Sequence, residues 1–193
     1  MELPLFLLNT ALLPGGHLRL KAFEPRYLDL VSACLRGGEP FGICLIKFGP
    51  EVGEAAVPEE VGTLAHIRKA DMHDMGVFDI DVEGGGRFRI QSTRVGPNRL
   101  LIGEVDLLPA ESNAPVPEHC AACLRLLRRM AEELPDTELR PVRDEVAWVG
   151  YRLIELLPFE MSARQAMLGL DDPVRRLEIV AEFMRKHGWQ DDK

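Results

Sequence analysis

The 193-residue chain carries 31 Asp and Glu against 23 Lys and Arg, for a formal net charge of −8, with 46% hydrophobic residues and a mean hydropathy of −0.05. These values exclude a disordered chain, and an acidic protein with no run of five basic residues is repelled by a phosphate backbone. No apolar stretch is long enough to span a bilayer, and four cysteines make no disulfide framework, so a reducing, cytoplasmic setting is expected.

In chain order, Met1 to Leu5 is apolar but has no basic leader, and Asn9 and Pro14-Gly15-Gly16 soon end the run. It is expected to be a strand, Leu3 to Leu8, and not a signal peptide. Leu18 to Phe23 reads as a second strand across the Pro14-Gly15-Gly16 turn. Glu24-Pro25 opens a helix, because proline at the first helical position withholds an N–H that has no partner there anyway. Tyr27, Leu30, Val31, Cys34 and Leu35 recur at helical spacing until Gly37-Gly38. Phe41 to Phe48 returns to strand.

Residues 75–95 alternate strictly. Phe78, Ile80 and Val82 share one parity, Asp79, Asp81 and Glu83 the other. The run Gly84-Gly85-Gly86 predicts a turn that enters positive φ, followed by Phe88 and Ile90 alternating with Arg87, Arg89 and Gln91. The expectation is a hairpin with a row of acids opposite a row of cations. Gly96-Pro97-Asn98 ends it, and Leu100 to Leu108 is the next strand of a curled, mostly antiparallel sheet.

Residues 111–117 read as a turn-rich linker between a β-rich lobe, 1–110, and a helical lobe, 118–193. One helical stripe comprises Cys120, Cys123, Leu124, Leu127, Ala131 and Leu134; another comprises Val146, Val149, Gly150, Leu153, Ile154 and Leu157. Ser162 with Gln165 predicts a capping box for a third helix ending near Gly169. Asp172-Pro173 caps a fourth, with Val174, Leu177, Val180, Ala181 and Met184 inward and Gly188 at its end. Short striped helices must pack on one another, so a small bundle is expected.

Several runs together resemble a known family. Pro4-Leu5-Phe6, Leu12-Leu13-Pro14-Gly15 and Phe23-Glu24-Pro25-Arg26-Tyr27 are similar to the opening of the Lon protease N-terminal domain. Phe41-Gly42-Ile43, Gly62 to Ile67 and Glu83 to Ile90 continue the likeness in order, with echoes at Leu157-Pro158-Phe159, Arg164 to Leu168 and Arg175-Arg176-Leu177. The resemblance implies an α+β fold, a PUA-like curled antiparallel β-barrel followed by a small helical bundle. It also implies recognition of unfolded or flexible protein segments. With no Gly-x-x-x-x-Gly-Lys-Ser/Thr loop and no room for ATPase or protease domains, a stand-alone, non-catalytic module is expected, an adaptor or accessory in protein quality control. The groove between the two lobes is the expected binding seam.

The residues expected to carry recognition are Glu24, Arg26, Tyr27, Arg87, Phe88, Met161 and Met167. For Glu24, Arg26 and Tyr27 the structural alternative is an ion pair beside a packed ring. No cofactor is expected. His66, Asp71, His73 and Asp74 are weak metal candidates, with a solvated strand end as the competing reading. Cys120 and Cys123 form a Cys-x-x-Cys, but it lies on an apolar stripe and reads as core packing. An RNA-binding module using Arg87, Arg89, Arg94 and Arg99 is the alternative function, and an enzyme a further one; no Gly-x-Ser-x-Gly elbow supports the latter.

Overall fold

The computed structural model describes residues 1–54, 56–73, 76–134, 139 and 141–189. They fall into two compact units, Met1–Ala110 and Glu111–Lys193.

The first unit holds seven strands and one helix: β1 (Glu2–Leu8), β2 (His17–Ala22), α1 (Pro25–Gly37), β3 (Phe41–Phe48), β4 (Val57–Pro58), β5 (Val61–His73), β6 (Val77–Val95) and β7 (Leu101–Leu107). The pairing order is β1-β7-β6-β5-β3-β4, and β1 also pairs with β3, in parallel, so the path curls back on its first strand. The other pairings are antiparallel.

β1 is apolar from Leu3 to Leu8 because both its faces are buried there. Phe6 and Leu8 join the cluster built by Leu20, Tyr27, Val31, Phe41 and Ile80, whereas Leu3, Leu5 and Leu7 join Cys44, Phe88 and Val105. α1 begins with Pro25 at its first turn and ends at Gly38, whose φ of 72° places it in the left-handed region while its N–H reaches the Cys34 carbonyl. The buried face of α1 is Tyr27, Leu30, Val31 and Cys34; Leu35 is exposed.

β2 pairs with β6, Arg19 opposite Asp81 and Lys21 opposite Asp79. One expectation fails in this unit. Gly84-Gly85-Gly86 is no turn; β6 runs through it for 19 residues, and none of the three has positive φ. The turn lies earlier, beside Gly76, whose φ is 71°. Gly84 and Gly85 serve close approach instead. A Cβ on Gly84 would sit 2.2 Å from the Leu13 carbonyl oxygen, and one on Gly85 2.8 Å from His66 Nε2. Gly84 also exchanges backbone hydrogen bonds of 2.7 and 2.8 Å with Gly15 and Gly16. The acids of β6 therefore face cations of β2 and β5, not those of its own distal half.

The second unit contains α2 (Ala121–Glu133), α3 (Val146–Leu156), α4 (Met161–Leu168) and α5 (Pro173–Lys186). α3 packs against α2 and α5. The predicted stripes are buried apart from Leu134, which is exposed, and Val174 and Ala181, which are half-buried. Asp172 caps α5 as expected, its Oδ1 accepting from the N–H groups of Val174 at 2.9 Å and Arg175 at 3.2 Å. At the other end Gly188 takes φ 70° and the Trp189 N–H returns to the Met184 carbonyl. The capping box at Ser162 is not formed: α4 starts at Met161 with Glu160 as its cap residue, and Gln165 is buried.

Arg176 is the largest fully buried side chain among the described residues. Its Nη1 and Nη2 each donate at 2.7 Å to the two Glu111 carboxylate oxygens, its Nε donates to the Met167 carbonyl at 2.9 Å, and its guanidinium lies 4.2 Å from the Tyr151 ring centre. A buried charge whose three nitrogens each find an acceptor in this way is tolerated. Residue 111, the first of the turn-rich segment, is thus fastened into the helical unit, and Ala114 and Val116 are tied by hydrogen bonds to Val146 and Asp144.

Candidate functional site

An apolar recess of about 260 Å³ opens in the first unit, lined by Phe6 and Leu8 of β1, Arg19, Leu20 and Lys21 of β2, Phe23, Glu24 and Tyr27 at the start of α1, and Glu51 and Val52. Phe6, Leu8, Leu20 and Tyr27 are buried and form its floor, while Phe23 and Val52 stand at its rim, 53% and 55% exposed. Phe23 and Val52 carry the apolar surface of the floor out to solvent. The volume falls below the ~300–1,000 Å³ of a small-molecule site, and suits a side chain of a larger partner.

The geometry around Tyr27 comes from local chain constraints. Pro25 starts the helix, so Tyr27 points from its first turn onto β1, where its ring stacks on Phe6 at 3.7 Å between centres and 8° between planes. The Tyr27 hydroxyl accepts the Leu7 N–H at 3.5 Å. Burial pushes the phenol above its ordinary value despite the neighbouring Arg26, so at neutral pH it keeps a proton able to donate. Arg26 is buried and donates to Glu24 Oε1 at 3.0 Å; the other Glu24 oxygen accepts the Gly53 N–H at 3.2 Å. Glu24 thereby fixes the 51–53 loop at the rim, and the Asn9 side-chain amide donates to Glu51.

Of the residues expected to carry recognition, Glu24 and Tyr27 line this recess, and Arg26 braces Glu24 next to it. Phe88 is fully buried, where its ring fills the space left by Gly42 and Gly62. Arg87 is buried beside it, opposite Thr63. In the second unit Met167 is buried and supplies the carbonyl that accepts from Arg176, and Met161 is half-buried.

The suggested basic patch is largely neutralised. Arg94 forms a two-pronged pair with Glu2 at 2.9 Å, Arg89 lies 3.9 Å from Glu60, and Arg87 is buried. His66 and His73 stand seven positions apart on β5, and Asp71 pairs with Lys69 at 2.7 Å. Asp74 lies outside the described residues. No group of three His, Cys, Asp or Glu suited to a metal occurs among the described residues. Cys120 and Cys123 are buried, unlinked thiols. Burial pushes Cys123 up to about 12, and its Sγ lies 3.7 Å from Met184 Sδ. Such thiols are poor nucleophiles.

Sequence reasoning missed Phe23 and Val52 as rim residues. Phe23 does carry a signal: it shares the outward parity of Arg19 and Lys21, so an aromatic follows two charges on the wet side of β2. Val52 carries none, since its loop is placed by Glu24 through space.

The family model of the ATP-dependent protease La (LON) substrate-binding domain matches residues 2–186. A solved Lon N-terminal domain protein from Xanthomonas campestris is 39% identical, with a TM-score of 0.81, over 95% of this chain and 98% of that one. The N-terminal domain of a Mycobacterium avium complex Lon protease shares the fold at 18% identity and TM-score 0.69, over 97% and 100% of the two chains. No curated protein sequence matches the chain. On the family match and the 39% identity, the chain belongs to the Lon substrate-binding-domain family.

Proposed function

We propose that this protein is a non-catalytic recognition module for unfolded polypeptide, serving as an adaptor, and that the recess beside Tyr27 is where it holds its ligand. The family is one of substrate-recognition domains. The observation that carries the reading for this chain is the pairing of a buried apolar floor, Phe6, Leu8, Leu20 and Tyr27, with exposed apolar rim residues Phe23 and Val52. Burying one bulky side chain there gains about 1.5–3 kcal/mol, modest selectivity that fits many sequences and excludes folded chains, whose apolar residues are already covered.

The test is fluorescence anisotropy with a labelled, reduced and carboxymethylated model protein, compared with its native disulfide-bonded form. The unfolded chain binds and the native one does not; a double variant Phe23→Asp, Val52→Asp weakens binding at least tenfold. Absence of binding at tens of micromolar, or equal binding of native and unfolded forms, contradicts the proposal. Hydrolysis of the unfolded chain by the pure protein contradicts its non-catalytic part.

A further inference from the structure

We infer that the recess is one half of a strand-addition site: an extended peptide alternating acidic and bulky apolar residues adds to the free edge of β2. This rests on the recess being the recognition site, and it names the ligand's chemistry and pose. β2 pairs on one side only, with β6, and among the described residues no strand pairs with its other side. The recess runs along that strand at Arg19, Leu20 and Lys21. A strand with one open edge offers a row of backbone donors and acceptors to an extended chain, and alternate side chains of that chain then fall on the two faces of the sheet.

The faces differ in chemistry. On the Leu20 side an incoming residue meets the apolar floor formed with Phe6, Leu8 and Tyr27. On the opposite side the sheet ends in cations. In one row charge alternates from Lys69 of β5 to Asp81 of β6 to Arg19 of β2; in the next, Asp71 of β5 and Asp79 of β6 stand opposite each other and Lys21 of β2 follows Asp79. The outermost row is cationic and open to water, with the Arg19 and Lys21 side chains 92% and 76% exposed and only loosely held by their acids, at 3.4 and 4.0 Å. A further strand continues the alternation when it sets carboxylates against Arg19 and Lys21, and like charges directly opposite are unfavourable. The same argument disfavours a second copy of β2, whose own cations would face Arg19 and Lys21. The matching ligand is therefore foreign, extended, and acidic at every other position.

The experiment titrates the whole protein with fluorescein-labelled nonapeptides: one alternating acidic and bulky apolar residues, one with lysine at the acidic positions, and two versions of the acidic peptide N-methylated either at its acidic or at its apolar positions. The acidic peptide is expected to bind at least tenfold more tightly than the lysine peptide. Only one of the two N-methylated peptides retains binding, since a single edge of the ligand strand faces β2. The double variant Arg19→Glu, Lys21→Glu reverses the preference between acidic and lysine peptides. Equal affinity for both charges, or equal loss or retention by the two N-methylated peptides, overturns the inference. Binding of the unfolded model protein without binding of any nonapeptide overturns it while leaving the proposed function standing; failure of both overturns the two together.

Discussion

Glu111 and Arg176 form a two-pronged ion pair, 2.7 Å on each prong, with the Arg176 side chain wholly out of solvent. The Tyr151 hydroxyl donates to the same carboxylate at 2.6 Å. A residue of the segment that precedes α2 is thereby bonded to α5. Removing one member leaves the other charged and buried, which is strongly unfavourable. The Glu111→Ala variant is expected to lose about 3–5 kcal/mol in urea unfolding, whereas Tyr151→Phe loses about 0.5–1.5 kcal/mol. A Glu111→Ala cost equal to that of an exposed pair, under about 1 kcal/mol, contradicts this account.

Gly84 and Gly86 are two residues apart on β6 and predict opposite outcomes. An added methyl at Gly84 meets the Leu13 carbonyl oxygen at 2.2 Å, and that oxygen is backbone and has little room to yield; at Gly86 nothing lies within 4 Å. Gly84→Ala is expected to cost about 1–3 kcal/mol or more, and Gly86→Ala to stay within about 0.5 kcal/mol of the parent. Thermal unfolding of the two single variants distinguishes them.

This pair also shows where sequence pattern ceases to inform. Periodicity located β1, β2, β3, β7 and the helices, because each buries one face or two and the apolar spacing records which. Three consecutive glycines carry no spacing, and they read as a turn although Gly84 serves sterically, letting β6 pass against the 13–16 loop. Ser162 and Gln165 have capping-box spacing, yet Gln165 is drawn into the helical core. At the candidate site Glu24 and Tyr27 were legible as part of a motif. Val52 was not, because a loop residue reaches the recess only through the Gly53 to Glu24 hydrogen bond. Arg176 stands in the sequence only within the echo Arg175-Arg176-Leu177, and no helical spacing reveals that Glu111 neutralises it.

The buried thiols set a pH dependence. Burial raises Cys123 from an ordinary value of 9.0 to about 12, and burial pushes Cys44 higher still. Above pH 9 the unfolded chain releases these protons and the folded one retains them. Stability is therefore complete below about 9 and falls as pH rises, on the order of 1.4 kcal/mol per pH unit for each such thiol. Urea midpoints at pH 8 and 10.5 are expected to decrease accordingly, with a shallower decrease in Cys44→Ala. At pH 8 Cys44 and Cys123 are expected to resist a thiol-labelling reagent until the protein is unfolded. Rapid labelling of the native protein at either position contradicts their burial.

The central claim, that the recess beside Tyr27 holds unfolded polypeptide, is tested most directly by amide chemical-shift mapping of the isotope-labelled protein during titration with a reduced, carboxymethylated chain. The account predicts that the largest shifts gather on Leu20, Lys21, Phe23, Tyr27 and Val52 and vanish in the Phe23→Asp, Val52→Asp variant. Shifts that leave those five residues unmoved while others respond contradict it.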